Sequence, residues 1–329
     1  MKSAIVRYSL VTLAKLFVTG LFFFYIFGKI DLRQFADIMR GARIGLLACA
    51  LPTIWLGHFV CVLRWRILMR PVMPAPSFAR LCGIYCIGMF FNLTFPTIVG
   101  GDAVKIYYAG KPSRSYAESF AAVFLDRDIG MFAMMIIACS SVLLYPVAVP
   151  GVSIHLILWG VFILFIIGNI AVFTPRPHRF LSAVLRKMRR EKIAARIDGV
   201  AGAFQITGRH PATIWKSLGI SFANQLLGCA AVWVAALSIG IRISIFYFLI
   251  FVPAVTLISM IPISLNGMGL REYSFMSLFG AIGVAGESCI ALGLLCSLLV
   301  ILSSLPGGVV YVFFRGKAGG ARMAAAESD

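Results

Sequence analysis

The chain has 329 residues, 60% of them hydrophobic and 13% charged, with 30 Lys and Arg against 12 Asp and Glu and a formal charge of +18. Its mean hydropathy of +0.95 is far above that of soluble proteins, which excludes an ordinary soluble domain. The basic residues gather between apolar runs, the pattern of loops facing an anionic membrane surface, and this excludes a nucleic-acid-binding role for the charge.

In chain order, apolar runs long enough to span a bilayer lie at about 8–28, 44–63, 118–146, 153–174, 213–240, 244–262 and 288–312. The first follows Lys2 and Arg7 and ends Phe27-Gly28-Lys29-Ile30, without the small residues of a cleavage site, so it reads as a retained span. In 29–43, Leu32, Phe35, Ile38 and Met39 predict a short interfacial helix. Arg64, Arg66, Arg70 and Arg80 follow the second run as loop cations. The next apolar stretch is broken by Pro96-Thr97-Ile98-Val99-Gly100-Gly101-Asp102 and then Lys105. Run 118–146 carries Asp126-Arg127-Asp128 at membrane depth, where charges are costly and are paired or functional.

The polar interval 176–210 holds Arg176, Arg179, Arg186, Lys187, Arg189, Arg190, Lys192 and Arg196. Leu181, Val184, Leu185, Met188 and Ile193 recur within it at roughly helical spacing, predicting a cytoplasmic amphipathic segment. The same charges would fix orientation whatever else they do. Run 244–262 ends in a second break, Pro262-Ile263-Ser264-Leu265-Asn266-Gly267-Met268-Gly269-Leu270-Arg271-Glu272-Tyr273.

The two breaks align: Pro96 with Pro262, Gly101 with Gly267, Tyr107 with Tyr273, and Lys105 with Arg271. The basic interval 176–210 and the tail with Arg315, Lys317 and Arg322 are expected inside, the uncharged 147–152 outside, and both termini inside. Three spans separate the breaks, so the two broken segments enter from opposite faces. The expected fold is a single all-α membrane domain over 1–329, with about six full spans and two re-entrant hairpins. Its halves, about 8–146 and 153–312, form an inverted repeat, an architecture common among secondary transporters.

Pro96 and Pro262 end or kink a helix, and Gly100-Gly101 and Asn266-Gly267 offer left-handed turns. Short helices then restart near Asp102 and Met268, with unpartnered N–H groups that attract an anion. Gly269 faces Ala103, and Lys105 and Arg271 add formal cations. Packing kinks with snorkelling cations would leave the same trace. Asp126 and Asp128 spell a short Asp-x-Asp motif, but the four histidines lack metal-ligand spacing, and no HExxH, P-loop, GxSxG or Cys-x-x-Cys occurs. No cofactor or metal is therefore expected.

Phe91-Asn92-Leu93 through Asp102, the Asp126-Arg127 pair and Pro262 through Gly267-Met268-Gly269-Leu270-Arg271-Glu272 resemble one family over about 8–312. It is the flippase-like transmembrane region of bacterial lysylphosphatidylglycerol synthases, with its stand-alone relatives. The resemblance implies an inner-membrane protein that moves an aminoacylated or other phospholipid between leaflets. Stand-alone members have also been labelled sugar-lipid synthases or hopanoid-associated proteins. The chain stops at Asp329, and no soluble aminoacyltransferase domain is expected. The lipid phosphate would rest on the helix starts at Gly101 and Gly267, neutralised by Lys105, Arg127 and Arg271. Asp102, Asp126, Asp128 and Glu272 would balance those cations or receive a cationic head group. The alternative is a membrane-embedded transferase using Asp126 and Asp128, or an accessory protein that meets a lipid-biosynthetic enzyme through 176–210.

Overall fold

The structure, a computed structural model, describes residues 2–94, 100–145, 153–261 and 263–314. These residues form helices joined by short turns, with no strand among them. The first half runs α1 (Lys2–Phe27), α2 (Leu32–Arg40), α3 (Ile44–Met69), α4 (Phe78–Thr94), α5 (Gly100–Gly110) and α6 (Tyr116–Leu144). The second runs α7 (Ile154–Phe173), α8 (Pro175–Lys187), α9 (Glu191–Gly208), α10 (Pro211–Ser238), α11 (Ile245–Ser259), a 3-10 turn (Leu265–Gly267), α12 (Leu270–Gly280) and α13 (Gly286–Ser304). The order of elements is the same in both: long helix, amphipathic interval, long helix, broken pair, long helix. The matching long helices α3 and α10 pack on each other.

The chain is a polytopic helical membrane protein. Five helices are long and apolar enough to cross a bilayer: α3, α6, α7, α10 and the stretch Gly286–Phe314 that begins with α13. The expected first span falls on α1, a single helix of 26 residues whose part Lys15–Phe27 is an apolar helix. α4 and α11 are shorter apolar helices.

Burial sorts the spans. In α6 and in Gly286–Phe314, 56% of the apolar window is buried inside the protein, against 6% in α7. The first two are therefore central, and α7 turns its apolar surface to lipid. Around the centre, Met135, Phe248, Phe251, Phe275, Phe279 and Leu292 form one buried cluster, with the Phe248 and Phe251 rings 5.1 and 5.0 Å from that of Phe279.

The two amphipathic intervals take different forms. α2 is the expected short helix, started by Asp31, whose carboxylate accepts from Arg33 N and Gln34 N; it buries no residue. The interval 176–210, expected as one amphipathic stretch, is two helices. The chain reverses at Arg189, where φ is +56°, and α8 packs on α9. Ser182 Oγ and Arg186 donate to Asp198 at 2.6 and 2.5 Å, and together, Ser182 foremost, they hold its carboxyl below the usual aspartate range. Phe204 of α9 is buried against the Phe124 and Phe173 rings, whereas Phe180, Leu181 and Val184 of α8 stay exposed beside its cations.

Candidate functional site

The first broken pair closes on backbone contact. α4 and α5 pack together, and a Cβ on Gly101 would stand 2.0 Å from the Gly88 carbonyl oxygen. Only glycine permits that approach. This corrects one expectation: Gly100 and Gly101 do not turn the chain in a left-handed conformation but open α5 as helical residues. Gly101 is needed for proximity. Its N–H is also taken, donating to Asn92 Oδ1 at 2.7 Å. Pro96 lies outside the described residues.

The second broken pair turns as expected, through Asn266 (φ +50°) and Gly267 (φ +75°), with Gly269 (φ +79°) before α12. Thr19 of α1 accepts from Leu265 N at 3.0 Å. Glu272 reaches back to accept from Gly269 N at 2.6 Å, occupying an orphan donor of the helix start. Both helix starts are thus capped from within at Gly101 and Gly269, so a ligand would meet side-chain cations there instead of those N–H groups. Pro262 too lies outside the described residues. The breaks then meet: Asn266 Nδ2 donates to the Asn92 carbonyl at 2.7 Å.

The charges sort into three groups. Arg64 of α3 donates from Nε to Asp126 at 2.7 Å and from a terminal nitrogen to Ser221 Oγ at 2.7 Å. Asp102 of α5 receives Arg127 of α6 on one oxygen. Its other oxygen has Lys105 Nζ 3.6 Å away, and that ammonium also sits 4.1 Å from the Tyr85 ring centroid, a cation–π distance. Arg271 of α12 donates to Ser297 Oγ at 3.1 Å and to the Asn266 carbonyl at 3.4 Å. Ser297 in turn donates to Glu272 at 2.8 Å. Among the described residues Arg271 has no carboxylate within ion-pair distance.

These groups surround a cavity of about 550 Å³ in the helical body. Arg64, Lys105, Arg127 and Arg271 all line it, with one carboxylate, Asp126, and the amides Asn92, Asn224, Gln225 and Asn266. Methionine, valine and isoleucine side chains such as Met131, Met134, Val252 and Ile301 complete the wall. Of the residues singled out in the sequence, Gly101, Gly267 and Gly269 shape the two breaks, and Gly100 opens α5. Asp102 and Glu272 stand behind the wall as partners. Asp128 is elsewhere: it lines a second cavity of about 460 Å³ with Ile129, Phe204 and Trp215. Two residues along a helix is a rotation of about 200°, so Asp126 and Asp128 cannot share a face. The Asp-x-Asp spelling therefore joins two different cavities. Among the described residues no cluster of three His, Cys, Asp or Glu is placed to hold a metal ion.

Sequence reading missed several wall residues. Arg64, taken for a loop cation, lies within α3 and is 5% exposed; its signal is that the apolar pattern continues past it to Met69. Lys105, which the sequence did single out, is interior as well, 8% exposed. His58 lines the cavity, and its Nε2 is buried with no hydrogen-bond partner among the described residues. Asn92, Asn224 and Gln225 carried a weaker signal, as polar residues inside apolar runs.

The sequence profile of the lysylphosphatidylglycerol synthase TM region matches residues 12–309. The chain belongs to that family. Within it, a UPF0104 membrane protein of Pyrococcus horikoshii is 25% identical over 296 residues, covering 83% of this chain and 88% of the relative. Two UPF0104 membrane proteins of Methanothermobacter thermautotrophicus are 21% identical over 308 residues (86% and 88% covered) and 26% identical over 258 residues (73% and 76% covered). No solved structure matches the chain. The family-matched region includes every residue of the cavity wall.

Proposed function

We propose that the protein is a lipid flippase or transporter, not an enzyme, moving a phospholipid or related lipid between leaflets. The observation that carries this reading is the meeting of both broken pairs on one cavity lined by four cations. Irregular backbone and charge at membrane depth persist where they line a wet site. A phosphate in this cavity would be held by Arg271 and Lys105, with Arg127 beside them and the acyl tails left in hydrocarbon. The breaks then serve as the parts able to shift relative to the long helices. The halves read as an inverted repeat in an inner membrane, with both termini cytoplasmic. After removal of native cysteines, a cysteine at Arg242, between α10 and α11, should react with an impermeant thiol reagent from outside, and one at Lys187 should not. The reverse pattern would overturn the orientation.

The deciding experiment is reconstitution into liposomes with fluorescent, head-group-intact phospholipids and an impermeant quencher. Protein-containing vesicles should expose inner-leaflet label faster than empty ones. Equal rates across the whole lipid panel would reject the transport reading.

A further inference from the structure

We infer that α8 is seated on an anionic bilayer surface, with its exposed apolar stripe at the acyl boundary and its free cations on lipid phosphates. This seat lies apart from the central cavity and does not depend on the transport reading.

α8 divides lengthwise into three sectors. At about 100° per residue, Ser182 and Leu185 lie on one side, Phe180, Leu181 and Val184 on a second, and Arg176, Arg179 and Lys187 on a third. The first sector is used, because Ser182 is buried and bonded to Asp198 of α9. The second is left open: Phe180 is 73% exposed, and Leu181 and Val184 are exposed beside it. Single apolar residues on a surface need no explanation. Three on one arc, next to a cationic arc, are what an interfacial helix presents to a membrane.

Position and charge name the occupant. Only Thr174 separates α8 from α7, whose apolar window is 6% buried and so faces lipid. α9, to which α8 is held, lies beside the beginning of α6: a Cβ on Gly199 would stand 3.2 Å from the Cβ of Ala117. The apolar stripe therefore sits at the border of the hydrocarbon. Residues 176–198 hold eight Lys and Arg against two acids, and Asp198 is spent within the hairpin on Ser182 and Arg186. Each remaining cation near an anionic surface shifts the balance of docked over free roughly fivefold. Cations that only fixed orientation would need no apolar stripe beside them.

The test uses full-length protein, its native cysteines replaced, in nanodiscs of phosphatidylcholine with or without phosphatidylglycerol. A spin label is attached through a cysteine at Val184, on the apolar stripe, or at Ala183, which is exposed on the cationic side. Its collisions with oxygen, which concentrates in hydrocarbon, are compared with those of a water-soluble nickel chelate. In discs with phosphatidylglycerol the Val184 label should favour oxygen several-fold, and the Ala183 label should favour nickel. The Val184 label should move toward water in phosphatidylcholine alone and at high salt, which screens the attraction. Arg179→Gln/Lys187→Gln should lower its docked-to-free ratio about twentyfold or more, with thermal unfolding unchanged because neither side chain holds Asp198. Should that variant not fold, the salt titration of the unaltered charges decides the same point. Equal water exposure of the two labels in phosphatidylglycerol discs overturns the inference. Protection at Val184 that ignores both lipid charge and salt overturns the anionic requirement. Protection that appears only after an acidic cytosolic protein fraction is added overturns the bilayer seat in favour of a protein partner.

Discussion

Asn266 and Asn92 stand 174 residues apart and are joined by one hydrogen bond, 2.7 Å from the Asn266 amide to the Asn92 carbonyl. Asn92 also accepts from Gly101 N through its own side chain, so one residue fixes both the restart of α5 and the turn before α12. The two breaks behave as a single joint.

Asn266→Gly tests the joint without straining it. The backbone is left-handed at that position, with φ +50°, which glycine adopts freely. The variant should keep its fold and lose about 1 kcal/mol of stability, the worth of one hydrogen bond. Asn266→Val removes the same bond and adds left-handed strain of about 1–2 kcal/mol. Thermal unfolding in detergent should therefore rank wild type above glycine, and glycine above valine. A valine variant as stable as glycine would show that the turn is not held as described.

Close approach at Gly101 gives a steeper effect. An added Cβ meets the Gly88 carbonyl at 2.0 Å, a backbone atom that cannot swing aside. Gly101→Ala should force α4 and α5 apart and cost about 1–3 kcal/mol or more. Gly160→Ala, on lipid-facing α7, meets nothing within 4 Å and should be neutral or slightly stabilising. Measured together by thermal unfolding, the two substitutions should differ clearly; equal effects would remove the packing argument.

How much of this was legible in the chain follows from what each residue depends on. Glycine, proline and asparagine act through their own backbone, so the turn at Asn266-Gly267 was readable one residue at a time. Gly101 was readable as important but for the wrong reason, because its neighbour Gly88 belongs to another helix. Asp128 was grouped with Asp126 by spelling, whereas helical rotation separates them. Arg64 was read as a loop charge because the cations at 66 and 70 follow it; that its carboxylate partner lies 62 residues away on α6 is a tertiary fact. The segment 176–210 showed apolar periodicity but not the reversal at Arg189, a single left-handed residue without glycine.

Arg64 and Asp126 form a buried pair, with side chains 6% and 11% exposed. Removing one member strands a charge, which costs about 3–5 kcal/mol when no solvent can enter. Arg64→Leu and Asp126→Leu should each destabilise strongly, and the double variant should recover much of the loss, a coupling that a double-mutant cycle measures. Additive losses would mean that the two residues act separately.

Arg271 makes the opposite case. Its partners are neutral, and Ser297 keeps Glu272 as a partner when the guanidinium is gone. Arg271→Ala should therefore hold stability to within about 1 kcal/mol, on the scale of the neutral hydrogen bonds it removes. Lipid exchange should fall about tenfold or more if the guanidinium holds the phosphate. Arg271→Lys retains the charge without the planar fork and should fall between the two. The competing account makes Arg271 a distant neutraliser of Glu272, the adjacent and fully buried carboxylate. On that account Arg271→Ala loses stability, and Arg271→Ala/Glu272→Gln regains stability and exchange together. The exchange rate and unfolding temperature of these variants separate the accounts, because a phosphate ligand makes Arg271→Ala stable and inactive, and the double variant inactive as well.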